Sequence, residues 1–517
     1  MATIPQHTSL QPPCPHPQPY PYPYPYPLNA MLRPLLCWLS LSVCLAFADP
    51  ARPNIVLILV DDLGTGDVGC FGAKDIRTPH LDALAKQGTR FTDFTVAQAV
   101  CTASRAALLT GCYPNRVGMQ GALNHTSRFG LNPSEWTLPK MLKDRGYATA
   151  CFGKWHLGTV PELSAPRQGF DEFFGLPYSN DNSKYHPTLA PEMPPLPLLD
   201  GEKVAELDPD QSTFTTRFTA KSVDFIERNK DRPFFLYLPH VMPHVPIFAS
   251  DKFKGRSARG LYGDVVEELD DAIGTLLAKL QTTGLDRNTL VIFFSDNGAW
   301  TSYGEHAGSN GAFREGKLTC FEGGMRSPLI VRWPGQVPAG RVNATPFMSI
   351  DLLPTLTEVV GGKSPTLKID GRSALSLFRG TDDTAPHEAL FYFAGEEFHA
   401  VRAGRWKLHF PHPYLTNRGA PGKGGKPSGF GTYEPLPIKD SSMDAIASRH
   451  GQKVAKQSLA LYDLTADPGE TRDLAAENPD IVSRLSALAD PARRALGDKL
   501  TGVPGDERRP AGFVPAK

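Results

Sequence analysis

The sequence predicts an α/β chain with a large, mixed but mostly parallel sheet flanked by helices, followed by a smaller α+β unit built on an antiparallel sheet. Continuous apolar, β-branched runs such as "NIVLILV" (54–60) suit strands buried on both faces, as parallel strands are. Amphipathic helical patterns alternate with these runs, and several close on a glycine, a common helix stop. Past residue 385 short strand-like segments follow one another directly, the texture of an antiparallel unit. At 517 residues the chain can bury a large core, and one big domain with a smaller companion fits better than several equal modules.

The first 48 residues stand apart. Residues 1–30 hold the tract "PHPQPYPYPYPYP", where repeated proline fixes φ and removes donors, so neither a helix nor a sheet interior is expected. Residues 31–48 combine one positive charge, an apolar run and the small-residue end Ala46-Phe47-Ala48, the pattern of a signal peptide starting at Met31. The apolar run falls short of the roughly 20 residues a spanning helix needs, so export without stable membrane insertion is expected. Lys plus Arg and Asp plus Glu number 54 each, and the leader carries only Arg33 among them. No overall field therefore draws the chain to nucleic acid or to an anionic membrane. Beyond the leader stand Cys70, Cys101, Cys112, Cys151 and Cys320, an odd number, so at least one is unpaired or modified. The sequons at Asn124 and Asn343 would be surface acceptors in a host that glycosylates exported proteins.

Residues 49–385 carry the alternating pattern. Buried strands are expected over "NIVLILV", "ATACF" (148–152), "FFLYLP" (234–239), "LVIFF" (290–294) and "PLIVRW" (328–333). Helices are expected over "HLDALAKQG", "LPKMLKDRG", "FTAKSVDFIERN", "GDVVEELDDAIGTLLAKLQTTG" and "DLLPTLTEVVG". Residues 386–517 offer "ALFYFAG", "HAVRAGRWKLHF" and "LALYDLT" as antiparallel strands and "PDIVSRLSALADPARRAL" as a closing helix, with a Gly/Pro/Lys-rich loop over 414–431.

In open α/β sheets ligands gather at the carboxyl ends of strands. The first strand ends in Asp61-Asp62, and "LVIFFS" ends in Asp296-Asn297. Three carboxylates and an amide oxygen at adjacent strand ends would repel if bare, and a hard divalent cation, Ca²⁺ or Mg²⁺, resolves the conflict. Each pair alone reads equally well as a cap for the turn that follows. "CFGKWHLG" puts Lys154 and His156 two apart after a strand, on one side of an extended segment. "LPHVMPHVP" offers His240 and His244, and Lys317 follows the glycine-rich "GAFREG". In "AVCTASRAALLTG" (99–111) a helix beginning near Cys101 would aim its free N–H groups at an anion, with Arg105 beside them. Cys101 itself could be a core filler, half of a disulfide, a thiolate nucleophile or a precursor. A divalent cation with Arg105, Lys154 and Lys317 suits a tetrahedral oxyanion ester.

"CTASR" followed by "AALLTG" resembles the sulfatase signature, in which the cysteine becomes Cα-formylglycine after translation. The likeness extends over residues 53–490 through "PNIVLILVDDLGTGDVGCFG", "GYATACFGKWHLG", "QGFDEFFG", "SDNGAW", "FEGGMRSPLIVRWPG" and "LYDLTADPGETRDLA", and looks closest to the arylsulfatase A and N-acetylgalactosamine-6-sulfatase group. The resemblance implies an alkaline-phosphatase-like fold and a type I sulfatase mechanism. It also implies calcium ligands Asp61, Asp62, Asp296, Asn297 and modified Cys101, with magnesium the less expected ion. Arg105 would hold the formylglycine hydrate and His156 orient it; Lys154, His244 and Lys317 would bind sulfate, and His244 or Lys317 would protonate the leaving oxygen. Ser179 would touch substrate. One hydroxyl of the hydrate would attack sulfur and the second would collapse to expel sulfate, which a serine or thiol lacks the means to do. The implied partners are a formylglycine-generating maturation enzyme and a sulfated glycan or small molecule, met in the periplasm, outside the cell or in a lysosome-like compartment.

Two positions depart from the family pattern: Ala103 stands where proline is usual, and Cys112 where an arginine often follows "LTG". Other readings of the same residues are a phosphoester or phosphonate hydrolase of the same fold, or a non-catalytic binder of sulfate esters if Cys101 stays unmodified.

Overall fold

The computed structural model describes residues 52–515, so the Pro/Tyr tract and the signal-peptide segment lie outside the described residues. Ten strands form the main sheet: β1 (Asn54–Val60), β2 (Thr89–Phe91), β3 (Ala148–Lys154), β4 (Glu172–Leu176), β5 (Pro197–Asp200), β6 (Lys203–Leu207), β7 (Phe234–Pro239), β8 (Thr289–Ser295), β9 (Leu329–Arg332) and β10 (Arg341–Asn343). They lie in the order β10-β2-β9-β8-β1-β7-β3-β4-β5-β6. The five central strands, from β8 to β4, run parallel.

Side chains of β1 alternate between two cores, as a strand's period of two requires. Val56, Ile58 and Val60 join a core with helices α1 (Pro79–Gln87), α4 (Phe214–Arg228) and α5 (Leu261–Thr282). Ile55, Leu57 and Leu59 face the opposite core, with α2 (Cys101–Thr110) and α3 (Leu138–Asp144). Helices thus cover both faces, which is why the central runs are apolar without interruption.

The expectation for "PLIVRW" is corrected in direction. Its four strand residues are buried, yet β9 pairs antiparallel with β8, Val291 opposite Arg332. An apolar run reports burial on two faces and is silent on the direction of pairing. Likewise the expected loop over 414–431 begins within a strand, His412–Asn417, which pairs antiparallel with Gln452–Gln457. Asn343 lies buried in β10 with its amide on Asp383, at odds with a surface sequon.

Strands Leu390–Ala394, Glu397–Ala403, Trp406–His409 and Ala460–Asp463 form a four-stranded antiparallel sheet, with the expected helix, Pro479–Leu496, against it. This sheet shares a core with Val96, Ala97 and Ala99, the residues that lead into α2. The chain's last described segment returns to the first domain: Gly512–Phe513 pairs with Phe129–Gly130, and the Arg509 guanidinium meets Glu135 at 2.8 Å and the Cys112 sulfur at 3.4 Å. All five cysteines beyond the leader are free. Among the described residues no helix is long and apolar enough to cross a membrane.

Candidate active site

Register decides where the acids emerge. Val60 of β1 sits opposite Ser295 of β8, and Leu59 opposite Pro239 of β7. Asp61-Asp62, Asp296-Asn297 and the His240–His244 loop therefore leave the sheet at one level, at its carboxyl end. β3 delivers Lys154 to the same edge. Gly153 makes this possible: its φ is +136°, and a Cβ there would lie 1.9 Å from the Pro239 carbonyl oxygen. Asp62, His156 and Leu318 also hold left-handed backbone, at φ 66°, 56° and 73°. Such conformations cost of order 1–3 kcal/mol each in non-glycine residues and concentrate at functional sites. At His156 this overturns the extended geometry expected from the Lys154-x-His156 spacing.

α2 starts at Cys101, and all ten of its residues are buried; the left-handed Gly111 closes it with an N–H to the Ala107 carbonyl. From its first turn Arg105 reaches under the strand ends. Its Nη2 lies 2.7 Å from Asp296 Oδ2 and 3.0 Å from Asp61 Oδ2, and its Nη1 donates to the Lys154 carbonyl at 2.7 Å. The Lys154 ammonium sits 2.6 Å from Asp61 Oδ2 and 3.1 Å from Ser179 Oγ. The Lys317 ammonium sits 2.8 Å from Asp62 Oδ1 and 3.2 Å from the Cys101 sulfur. Cys101 also meets Asp61 Oδ1 at 3.4 Å.

A cavity of about 810 Å³ opens above this cluster. Of the predicted residues, Cys101, His156, Ser179, His244 and Lys317 line it; Asp61, Asp62, Arg105, Lys154, Asp296 and Asn297 lie behind. Lys154, expected to bind sulfate, is fully buried with its ammonium committed to Asp61 and Ser179. His240 is buried, and neither ring nitrogen has a partner.

Three cations face three carboxylates, so the repulsion inferred from sequence is met in part by the protein itself. Burial alone would raise Asp61, but Lys154 and Arg105 outweigh it and hold the carboxyl well below the usual range. Asp62 is less well offset: burial, with Asp61 and Asp296 nearby, pushes it up to about 7 against the pull of Lys317. Burial would lower Lys317, yet Asp62 and Cys101 hold its proton more firmly than usual. Burial, with Lys317 and Lys154 beside it, pushes His244 down to about 3. Its Nδ1 lies 2.5 Å from the Val245 carbonyl, so Nδ1 carries the proton and Nε2, 3.7 Å from Asp62 Oδ2, is the open acceptor. Burial, then the Asp61 charge, raises the Cys101 thiol to about 12. His156, neutral through burial, donates from Nε2 to the Leu123 carbonyl at 2.7 Å, which leaves Nδ1 as an acceptor without a partner.

The donor set suits a hard cation. Donor atoms of Asp61, Asp62, Cys101 and His244 lie within 4.8 Å of one another. The Asn297 side-chain oxygen is buried without a partner, while its nitrogen donates to Asp62 Oδ1 at 2.7 Å. Asp296 stands outside that group of four, with its Oδ2 on Arg105. His244 stands inside it, a position that sequence reasoning did not give it. The cavity wall also includes Asp181, His186, Trp300 and His450, which sequence reasoning missed. Asp181 lies only two residues past Ser179, so proximity to that strand end was a usable signal.

The sulfatase family profile matches residues 53–362, and that of the C-terminal region of aryl-sulfatase matches residues 385–500. The chain is 39% identical to arylsulfatase A of Homo sapiens over 476 residues, covering 87% of this chain and 89% of that protein. It is 39% identical to N-acetylgalactosamine-6-sulfatase of Canis lupus familiaris over 397 residues, covering 73% of this chain and 75% of that protein. The crystal structure of the PsFucS1 sulfatase from Pseudoalteromonas sp. superposes with a TM-score of 0.74 at 25% identity, covering 89% of this chain and 92% of that one.

Proposed function

The chain belongs to the sulfatase family, and from that premise we propose that it hydrolyses sulfate monoesters of carbohydrates, with Cys101 converted to formylglycine and a calcium ion held by the strand-end oxygens. The position of Cys101 carries this reading. It is no core filler, because it lines the cavity, and no disulfide half, because it is free. A thiol raised to about 12 is a poor thiolate nucleophile at neutral pH. A precursor is the role that the resemblance of "CTASR" and "AALLTG" to the sulfatase signature implies.

Converted to an aldehyde, residue 101 supplies a geminal diol, whose second hydroxyl allows sulfate to be expelled without water attacking sulfur. A bound divalent ion supplies Lewis acidity and charge neutralisation. The protein's own residues do the rest. Arg105 fixes Asp61 and Asp296 against each other, with 3.0 and 2.7 Å contacts that leave Asp61 Oδ1 turned to residue 101. Lys154 holds Asp61 from the other side and orients Ser179 through the 3.1 Å bond. His156 Nδ1, free as an acceptor because Nε2 is tied to Leu123, would take a proton from a hydroxyl on residue 101. Lys317 or His244 would protonate the leaving oxygen; the Lys317 ammonium lies 3.2 Å from the Cys101 sulfur, and both side chains line the cavity. Export through residues 31–48 and modification by a maturation enzyme complete the reading.

Mass spectrometry of the Cys101 peptide tests it: conversion of thiol to aldehyde lowers the mass by about 18 Da, and hydration restores it. An unmodified thiol in active protein overturns the mechanism. Comparing kcat/KM across sulfated sugars, aryl sulfates and phosphate or phosphonate monoesters tests the reaction class; preference for phosphorus esters overturns it.

A further inference from the structure

Beside the sulfate-facing residues, the cavity wall holds polar groups that the proposed chemistry does not use. The chain of contacts is short. The Lys317 ammonium lies 4.2 Å from the centre of the Trp300 ring, and Trp300 packs on His450 with ring centres 4.2 Å apart. His450 is held through Nδ1 by the Tyr303 hydroxyl at 2.8 Å, and His186 lies 6.2 Å from it, ring to ring.

His186 is fixed in one tautomer. Its Nδ1 accepts backbone N–H groups from Thr188 at 3.1 Å and Leu189 at 3.0 Å, so a neutral ring must carry its proton on Nε2. That Nε2 is buried without a partner, in a side chain that is 2% exposed and lines the cavity. A buried donor left unpaired is costly unless a ligand satisfies it. Asp181 supplies the complementary group. Its Oδ1 accepts from the Asn182 amide at 3.0 Å, and its carboxyl lines the same cavity.

We propose that Asp181, His186 and His450 form a hydroxyl-recognising subsite for the sugar that bears the scissile sulfate. A donor and a carboxylate acceptor lining one cavity match a hydroxyl, which both donates and accepts. A second anionic group would be repelled by Asp181. An aryl or steroid ring would leave both Asp181 and the His186 N–H desolvated and unpaired, and sites built around hydrogen-bonding groups reject analogues that lack them. His450, stacked on Trp300, walls the subsite beside Lys317. This assignment rests on the proposed sulfatase activity and deepens its substrate class.

The test is the ratio of kcat/KM on the best of a panel of hexose and N-acetylhexosamine monosulfates to that on 4-nitrophenyl sulfate. His186→Phe and Asp181→Asn should each lower this ratio at least about tenfold, with KM for the sugar rising more than kcat falls. His186→Gln, which retains a donor, should recover part of it. Thermal midpoints monitor folding, and Asp181→Asn keeps the argument testable should His186→Phe fail to fold. An unchanged ratio in Asp181→Asn, or a wild type that prefers 4-nitrophenyl sulfate to every sugar, overturns the subsite while leaving the sulfatase reading intact. A wild type that cleaves none of these esters overturns the sulfatase reading, and the subsite with it.

Discussion

Two clusters of buried charge sit in this molecule, and they differ in kind. At the carboxyl end of the main sheet, Asp61, Asp62, Asp296, Arg105, Lys154 and Lys317 open onto a cavity, with the Asn297 oxygen and His156 Nδ1 lacking partners. Under the antiparallel sheet, Lys407 bridges Glu322 at 2.9 Å and Glu470 at 3.0 Å, and His409 meets Glu470 at 2.9 Å and His412 at 3.1 Å. The Arg326 and Arg402 guanidiniums each pair with Asp93 at 2.6 Å. His399 Nδ1 and the Tyr392 hydroxyl are left unpaired there. Buried charge by itself marks neither function nor stability. What separates the two is access: Lys407, Glu322 and Glu470 of the second, closed cluster are buried away from the cavity, while Cys101, His156, His244 and Lys317 at the first line a space a ligand can enter.

The largest effect expected from this contrast is at Cys101. Cys101→Ala should cut turnover about a thousandfold or more, since removing a nucleophile costs at least that much. Urea unfolding should place its stability within about 1 kcal/mol of the parent, as the change is small and local. Near-parental turnover would erase the distinction between the clusters. The closed cluster should behave in the opposite way. Lys407→Met removes the ammonium shared by two buried carboxylates, leaving Glu322 to Arg326 and Glu470 to His409, and should cost about 3 kcal/mol of stability, while kcat/KM of the folded fraction stays within twofold. A large kcat/KM loss with normal stability would show that this cluster serves catalysis.

Acid should act on the closed cluster with smaller force. Burial pushes His409 down to about 4, and burial with His399 beside it pushes His412 down to about 2, from an ordinary 6.5. Both folded values lie below the unfolded one, so the unfolded chain binds more protons as pH drops. Stability is therefore unaffected above pH 6.5 and is lost as pH falls from there toward 4, by about 3 kcal/mol for a shift the size of His409's. Urea midpoints at pH 7, 5.5 and 4.5 read this loss, and His409→Gln should flatten it. An equal slope in that variant would assign the loss to other groups.

The acids of the first cluster were legible in the sequence because buried strands announce where they end. "NIVLILV" stops at Asp61-Asp62 and "LVIFF" at Ser295-Asp296-Asn297, and parallel register then brings the two ends level. Cys101 was legible as a helix start. Lys317 and His244 stood out as candidates from their loops, but His244 was told from His240 and given a role only by the family resemblance, since a lysine after "GAFREG" and a histidine among prolines carry no specific pattern of their own. His450 was not legible at all. It follows the helix Met443–Arg449, and only the packing of the C-terminal region against the first domain brings it to Trp300. Direction was lost at β9 for a related reason: apolar patterning encodes how deeply a strand is covered, whereas pairing direction depends on the path of the connections. The closed cluster left no sequence signal either, because its members, from Asp93 to Glu470, meet only in the folded state.

The returning C-terminal segment imposes an order in time. Phe513 lines the cavity and its strand closes on Phe129–Gly130, so the chamber is complete only after residue 513 has been synthesised. Cys101, by contrast, emerges early and ends 2% exposed at the head of a helix buried along its full length. Under the proposed conversion of Cys101, a maturation enzyme would have a window between the emergence of residue 101 and the docking of the tail. The clock for that window is translation, and slowing the tail's arrival should raise the converted fraction without altering any residue of the site.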